Sequence, residues 1–148
     1  MPVEHVRAAR RSQVRDLGSV ARLAQALAAL PDERFGPIHT AYTRSERLAE
    51  KEQGAAPEVD PTLLVEPAEL EVAQAIERLD TQLDGSLEAG DFDGAVESAA
   101  EIGPALDRFF EDVLVMAEDQ AIRANRLRLL LNVRDTLRKL GELSLIPR

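Results

Sequence analysis

The chain has 148 residues and contains no cysteine, no tryptophan, one tyrosine and two histidines. Without cysteine there is no disulfide framework, no thiolate nucleophile and no zinc–thiolate site. His5 and His39 stand far apart and neither belongs to an HxxxH or HxxEH pattern, so neither is assigned as a metal ligand. No Glu-x-x-His is present to build a carboxylate-bridged metal site. Gly85-Ser86 and Gly90-Asp91 lack the spacing and the lysine of a phosphate-binding loop. Glu69 and Glu71, or Glu111 and Asp112, offer paired acids, but adjacent or alternate helix positions do not converge on one point. No run approaches the ~18 apolar residues that span a bilayer, and the charged stretch from Met1 to Arg11 lacks the apolar core of a signal peptide. These absences leave a soluble, cytoplasmic, single-domain protein as the expectation, with no catalytic residue, cofactor or metal of its own.

Leucine and alanine are plentiful, and a hydrophobic share of 45% suffices to order the chain. The formal net charge is -9, which taken whole opposes a polyanionic partner. By segment the picture differs. Residues 1–45 carry seven bases and four acids, residues 46–119 four bases and 21 acids, and residues 120–148 seven bases and two acids. If the two ends pack together, a basic face and an acidic face result.

Short alternating strand-like runs are absent and almost every segment has helical periodicity. From about Val3 to Leu30, Leu17, Val20, Ala21, Ala24, Leu27 and Ala28 share one helical face, with Gly18 a candidate break and Ser19 a cap. A second helix is expected from about Gly36 to Gln53, then a loop over 54–66. A third follows Glu66-Pro67 with Leu70, Ala73, Ala75, Ile76, Leu79 and Leu83 as its apolar face, ending near Ala89-Gly90. Asp91 caps a fourth through Ala100, and Gly103-Pro104 kinks or restarts it. Leu106, Phe109, Phe110, Val113 and Leu114 then form the most apolar stripe. Asp119 caps the last helix, with Ile122, Leu127, Leu130, Leu131, Val133, Leu137 and Leu140 inward and Gly141 as its stop. The fold class is therefore all-α, a helical bundle of five or six helices. No 20–50-residue repeat is visible.

The segment Phe109-Phe110-Glu111-Asp112-Val113-Leu114-Val115-Met116 runs through an acidic turn into Arg123-Ala124-Asn125-Arg126-Leu127-Arg128-Leu129-Leu130. This succession closely resembles the C-terminal end of the bacterial glycyl-tRNA synthetase β subunit. That family has two phenylalanines, an Asp-x-Val-x-Val-Met run, an acidic turn and an Arg-x-Asn-Arg-Leu-x-Leu-Leu helix at this spacing. Gly141 to Ile146 is similar to its ending, and Val59 to Glu69 to its linker into an acidic helix. Tyr42 to Leu48 lies where the family has a Lys-Arg-x-x-Asn-Ile-like helix; Arg44 matches the arginine, Thr43 replaces the lysine and Arg47 stands for the asparagine. The resemblance covers about residues 17–146 within one domain of residues 1–148. It implies a DALR-type anticodon-binding domain, an all-α module shared in fold with arginyl-tRNA synthetase.

The resemblance further implies a piece that holds the anticodon arm of glycine tRNA and performs no chemistry itself. The full enzyme would join glycine to tRNA with ATP and Mg²⁺, in an assembly with the remainder of the β subunit and the catalytic α subunit. Candidate tRNA contacts are Arg44, Arg123, Asn125, Arg126, Arg134 and Arg138. Arginine offers a planar fork for phosphates and a stacking surface for unpaired bases.

Each candidate also has a purely internal use. Arg123 can pair with Asp119 at i, i+4, while Arg126 can pack across Met116 or cap the preceding helix's carbonyls. Asn125 can bridge turn backbone, and Arg134 and Arg138, with Arg128 and Lys139, can be a solvated helix face. Tyr42 can stack on a base or belong to the core; Phe109, Phe110 and Met116 are read as core. A common concave face holding Arg44, Arg123, Arg134 and Arg138 would favour RNA; dispersal among acids would not. The alternative is a helical protein–protein docking domain, within or outside a synthetase, whose acidic belt from Glu46 to Asp119 faces a basic partner. An independent small enzyme has no supporting constellation.

Overall fold

Aspartates set three of the helix starts. In the computed structural model, which describes residues 3–51 and 54–147, the side chains of Asp16, Asp91 and Asp119 each accept a hydrogen bond from the backbone three residues on. The α-helices are α1 (Val3–Ala9), α2 (Leu17–Ala29), α3 (Asp32–Lys51), α4 (Pro67–Glu88), α5 (Phe92–Glu101), α6 (Gly103–Asp112) and α7 (Gln120–Leu137). Short 3₁₀ turns occupy Pro61–Leu63, Arg138–Leu140 and Leu143–Leu145. Among the described residues there is no strand. Six helices have ten residues or more and α1 has seven, so the all-α bundle read from periodicity stands. Among the described residues no helix is long and apolar enough to cross a membrane.

Several boundaries differ from the sequence reading. Asp16, not Ser19, caps α2, and Gly18 lies inside the helix. Leu17 is therefore an exposed first-turn residue and Ala28 is also exposed; Val20, Leu23, Ala24 and Leu27 form the buried face instead. The third helix begins at Asp32, four residues before Gly36, because Pro31 O takes the amides of Arg34 and Phe35 and opens the first turn. Pro37 is thus carried inside it. The expected end of that helix at Gln53 lies outside the described residues. Gly103 restarts the chain as α6, close against Pro37, where an added Cβ would stand 3.3 Å from the proline side chain.

The apolar stripe of α6 stops early. Val113 is extended, so it buries itself while Leu114 turns outward at 69% exposure. Met116 is exposed and Phe110 half-buried, so of the three residues assigned to the core only Phe109 belongs there. Leu70 likewise faces outward, because the neighbouring Glu69 takes the inward position on α4.

Helix α7 threads the middle of the bundle, packing on α3 and α4. Glu69 meets Arg126, Asp80 meets Thr136 and Asp84 meets Lys139, so α4 and α7 run parallel. Helices α5 and α6 pack against both α3 and α4, while α2 lies on α5 and α1 on α2. The closing segment returns to α1: Glu142 N donates to Ala8 O at 3.1 Å, and Gln13 N donates to Lys139 O at 3.0 Å. Gly141 makes that return possible. Its φ is +136°, and a Cβ there would sit 2.4 Å from Ala8 O. The two basic ends of the sequence therefore do pack together.

Candidate nucleic-acid interface

The start of α7 is where the sequence concentrated its candidates, and there the side chains turn inward. Arg126 is 6% exposed. Its Nε donates to Glu69 Oε1 at 2.6 Å and its Nη1 to Leu114 O at 2.6 Å. Glu69 is fully buried, and its other oxygen accepts from Glu66 N at the first turn of α4. Asn125 is buried as well: Oδ1 accepts from Asp60 N at 2.7 Å and Nδ2 donates to Asp60 O at 3.1 Å. Arg123 donates to Ala117 O at 3.1 Å rather than pairing with Asp119. Arg128 reaches Ala56 O at 2.6 Å, beside an Ala56 N to Ala124 O bond.

These four residues form a clamp. It fastens the loop over 54–66 and the turn over 113–119 to one end of α7, satisfying backbone groups that two proline-rich or irregular stretches leave unpaired. Asn125 does bridge backbone, but that of a loop 65 positions away rather than its own turn. Neither Asn125 nor Arg126 presents a free donor at the surface, so neither is available to RNA in this fold.

The remaining candidates divide between two places. Arg134 pairs with its neighbour Asp135 at 2.9 Å and is half-buried. Arg138 is exposed, one turn on, near the buried Tyr42. The Tyr42 hydroxyl has no hydrogen-bond partner; burial pushes its pKa up to about 12, against the pull of the Arg138 charge. Being fully buried, that ring cannot stack on a base. Lys139 bridges Asp80 and Asp84, both at 2.8 Å. Partial burial lowers its pKa, but hydrogen bonds to the two carboxylates outweigh that and hold it above the usual lysine range.

Arg44 stands elsewhere. It is exposed on α3, two positions past Tyr42 and so on another side of the helix. Its guanidinium carbon lies 4.3 Å from the ring centroid of half-buried Phe110 on α6, and Phe109 meets that ring edge-on at 5.4 Å. Arg47 follows, exposed, one turn along. Arg44 thus lies over Phe110 and Arg138 near Tyr42, while Arg123 bonds the Ala117 carbonyl and Arg134 pairs with Asp135.

Sequence reasoning missed two things here. The sequence reading puts Phe110 in the core, whereas it is half-buried with the Arg44 guanidinium over its ring. Exposed arginines at the other end of the chain, Arg7, Arg10, Arg11 and Arg15, were counted in the charge but not singled out. Among the described residues no group of three or more His, Cys, Asp or Glu side chains is placed to hold a metal ion.

A groove of about 520 Å³ runs between α4, α7 and the segment 59–64. Val59, Leu64, Leu70, Ala73, Ile76 and Leu129 line its floor, and Glu77, Asp80 and Asp135 its rim.

Residues 38–146 match the family described as the DALR anticodon binding domain. The chain is 42% identical over 122 residues to the glycine–tRNA ligase beta subunit of Anaeromyxobacter dehalogenans, a match covering 80% of this chain and 17% of that protein. It is 37% identical over 110 residues to the beta subunit of Shewanella denitrificans, covering 74% of this chain and 16% of the relative. To that of Desulforudis audaxviator it is 34% identical over 142 residues, covering 96% and 20%. The chain thus spans a fifth or less of the length of these curated relatives.

Proposed function

The chain belongs to the DALR anticodon-binding domain family, and from that membership we propose that it is the RNA-holding module of a glycyl-tRNA synthetase β subunit. Its work is to grip the anticodon arm of glycine tRNA, while ATP- and Mg²⁺-dependent attachment of glycine proceeds in the rest of the enzyme. The observation that carries this reading is the Arg44–Phe110 stack, which lies within the family match. An exposed guanidinium seated over a ring can offer its other side to an unpaired base, and Arg47 one turn on supplies a charge for the adjoining phosphate. Loop bases would carry the sequence information and phosphates the positioning.

The test is a fluorescence titration of the chain with glycine tRNA and with a non-cognate tRNA. The glycine tRNA should bind more tightly, and Arg44→Ala should weaken it at least about 5-fold, the lower end of the ~1–3 kcal/mol that stacking one base contributes. Equal affinity for both tRNAs, unchanged by Arg44→Ala, overturns the reading.

The groove between α4 and α7 favours a second role alongside the first. Its apolar floor suits an apolar segment presented by the remainder of the synthetase, with exposed Glu77 at its edge for a flanking lysine or arginine. Leu70→Glu, at an exposed floor position, should abolish co-elution of the chain with the rest of the enzyme. Undiminished co-elution removes this role and leaves the first intact.

A further inference from the structure

Residues 3–37 precede the stretch that matches the family, yet they are built into the fold. Ala8 and Ala9 are fully buried, and α1 packs on α2 and on the closing turn at Leu143–Leu145. With that inner face fixed, Arg7, Arg10, Arg11 and Arg15 all project from the outer side of α1 and the turn after it. Arg138 is exposed at the end of α7, and the Gln13 to Lys139 and Glu142 to Ala8 backbone bonds bring that end alongside α1.

Five bases elsewhere on the bundle are paired with carboxylates. Arg34 pairs with Glu97, Arg108 with Glu71, Arg126 with Glu69, Arg134 with Asp135 and Lys139 with Asp80 and Asp84. On the α1 edge only Arg11 is paired, with Glu142 at 3.3 Å. Arg7, Arg10 and Arg15 have no carboxylate partner among the described residues. The acids nearest in sequence are Glu4 and Asp16, and Asp16 is committed to capping α2 through Ser19 N. Arg15 shares a groove with Asp84 and Glu88 of α4, of which Asp84 is held by Lys139, while Arg7 and Arg10 do not line that groove; all three exposed forks can reach phosphate oxygens.

We propose that the Arg7–Arg10–Arg15 edge, with Arg138 beside it, is a phosphate-backbone docking surface for structured RNA, distinct from the Arg44–Phe110 contact, its three N-terminal arginines preceding the 38–146 family match. The inference rests on the tRNA-binding reading above. It assigns this edge affinity and orientation, and leaves base discrimination to the stack.

The experiment titrates the wild-type chain and the triple variant Arg7→Gln/Arg10→Gln/Arg15→Gln with glycine tRNA and a non-cognate tRNA between 50 and 250 mM salt. All three side chains are exposed, so an unaltered melting curve serves as the folding control. Arg78→Gln, on the exposed side of α4, controls for loss of charge as such. The triple variant should bind both tRNAs about 10-fold or more weakly at 50 mM salt, by the same factor for each. Its slope of log affinity against log salt should fall by roughly two to three, about one for each phosphate that is no longer neutralised. Arg78→Gln should change neither quantity. A triple variant with wild-type affinity and slope, while Arg44→Ala still weakens binding, overturns this surface and leaves the tRNA reading standing. A wild-type chain that binds neither tRNA overturns both.

Discussion

Arg126 and Glu69 face each other with side-chain exposures of 7% and 0%, at 2.6 Å, and each has a second internal partner. Removing one charge strands the other in a buried site. Arg126→Ala should therefore cost about 3–5 kcal/mol of unfolding free energy in a urea titration, whereas Arg126→Met with Glu69→Leu should recover most of that loss. An Arg126→Ala variant within 1 kcal/mol of wild type would mean that the pair is solvated in solution. Tyr42 presents the opposite case. Its hydroxyl is buried without a hydrogen-bond partner, so Tyr42→Phe removes a desolvated group and should leave stability unchanged or raise it by up to about 1 kcal/mol. At this scale the sequence displays residues but not their direction. Arg-x-Asn-Arg is conspicuous by spacing alone, yet the groups that turn it inward, Asp60, Glu69 and Leu114, lie 12 to 65 positions away. Nothing local distinguishes a guanidinium bound to a buried carboxylate from one waiting for a phosphate.

The elements were more legible, because their ends are chemically marked. Asp91, Asp119 and the Glu66-Pro67 pair open helices where a capping residue or a first-turn proline should, and Gly141 sits in the only backbone region that lets the chain double back on Ala8. Misjudged ends have a common cause. The sequence reading starts a helix at about Gly36, yet α3 begins right after Pro31 and carries Pro37, and α6 ends inside an apolar run where Arg123 and Arg126 take carbonyls just beyond it. Long-range bonds override the local pattern in both directions. The caps also set a pH dependence. Backbone and side-chain hydrogen bonds from Ser19 hold the Asp16 carboxyl below the usual aspartate range, and those from Thr62 do the same for Asp60. A depressed folded pKa means stability that is fully present above the unfolded aspartate value near ~4 and is lost as pH falls through the lower folded value. The urea midpoint should accordingly hold from pH 7 to about 5 and drop below pH 4, less steeply in Asp16→Asn, which keeps a capping side chain but cannot titrate. Gly141→Ala should be worse than either change, by about 2 kcal/mol or more. Its Cβ would meet a backbone oxygen that no rotamer can move.

A net charge of -9 describes no part of the molecule's surface. The fold joins the basic ends of the chain through α1 and the closing turns, while α4, α5 and α6 carry 12 of the 27 acids. The charge pattern was readable by segment, but the meeting of the two ends depended on Gly141 and Ala8, which no composition argument identifies. Two surfaces of different chemistry follow. The α1 edge attracts by charge and weakens with salt, since the Debye length is only about 8 Å at physiological ionic strength. The α4–α7 groove holds by apolar packing around Leu70 and should respond little to salt. Glu69 and Arg126 bond to each other beside Leu70, while Lys139 and Arg138 lie about 18 Å further along α7 at 1.5 Å per residue, so the Leu70 end and the arginine edge share no partner. Changes at separate sites of this kind add to within about 0.5 kcal/mol. A chain carrying both Leu70→Glu and the Arg7, Arg10 and Arg15 replacements should then show each single effect unaltered: the abolished co-elution of the first, and the weakened, less salt-sensitive tRNA binding of the second. Measuring both readouts on the four combinations of these variants decides it. A tRNA affinity that moves with Leu70→Glu alone would place the RNA across the groove, and would merge the two surfaces into one.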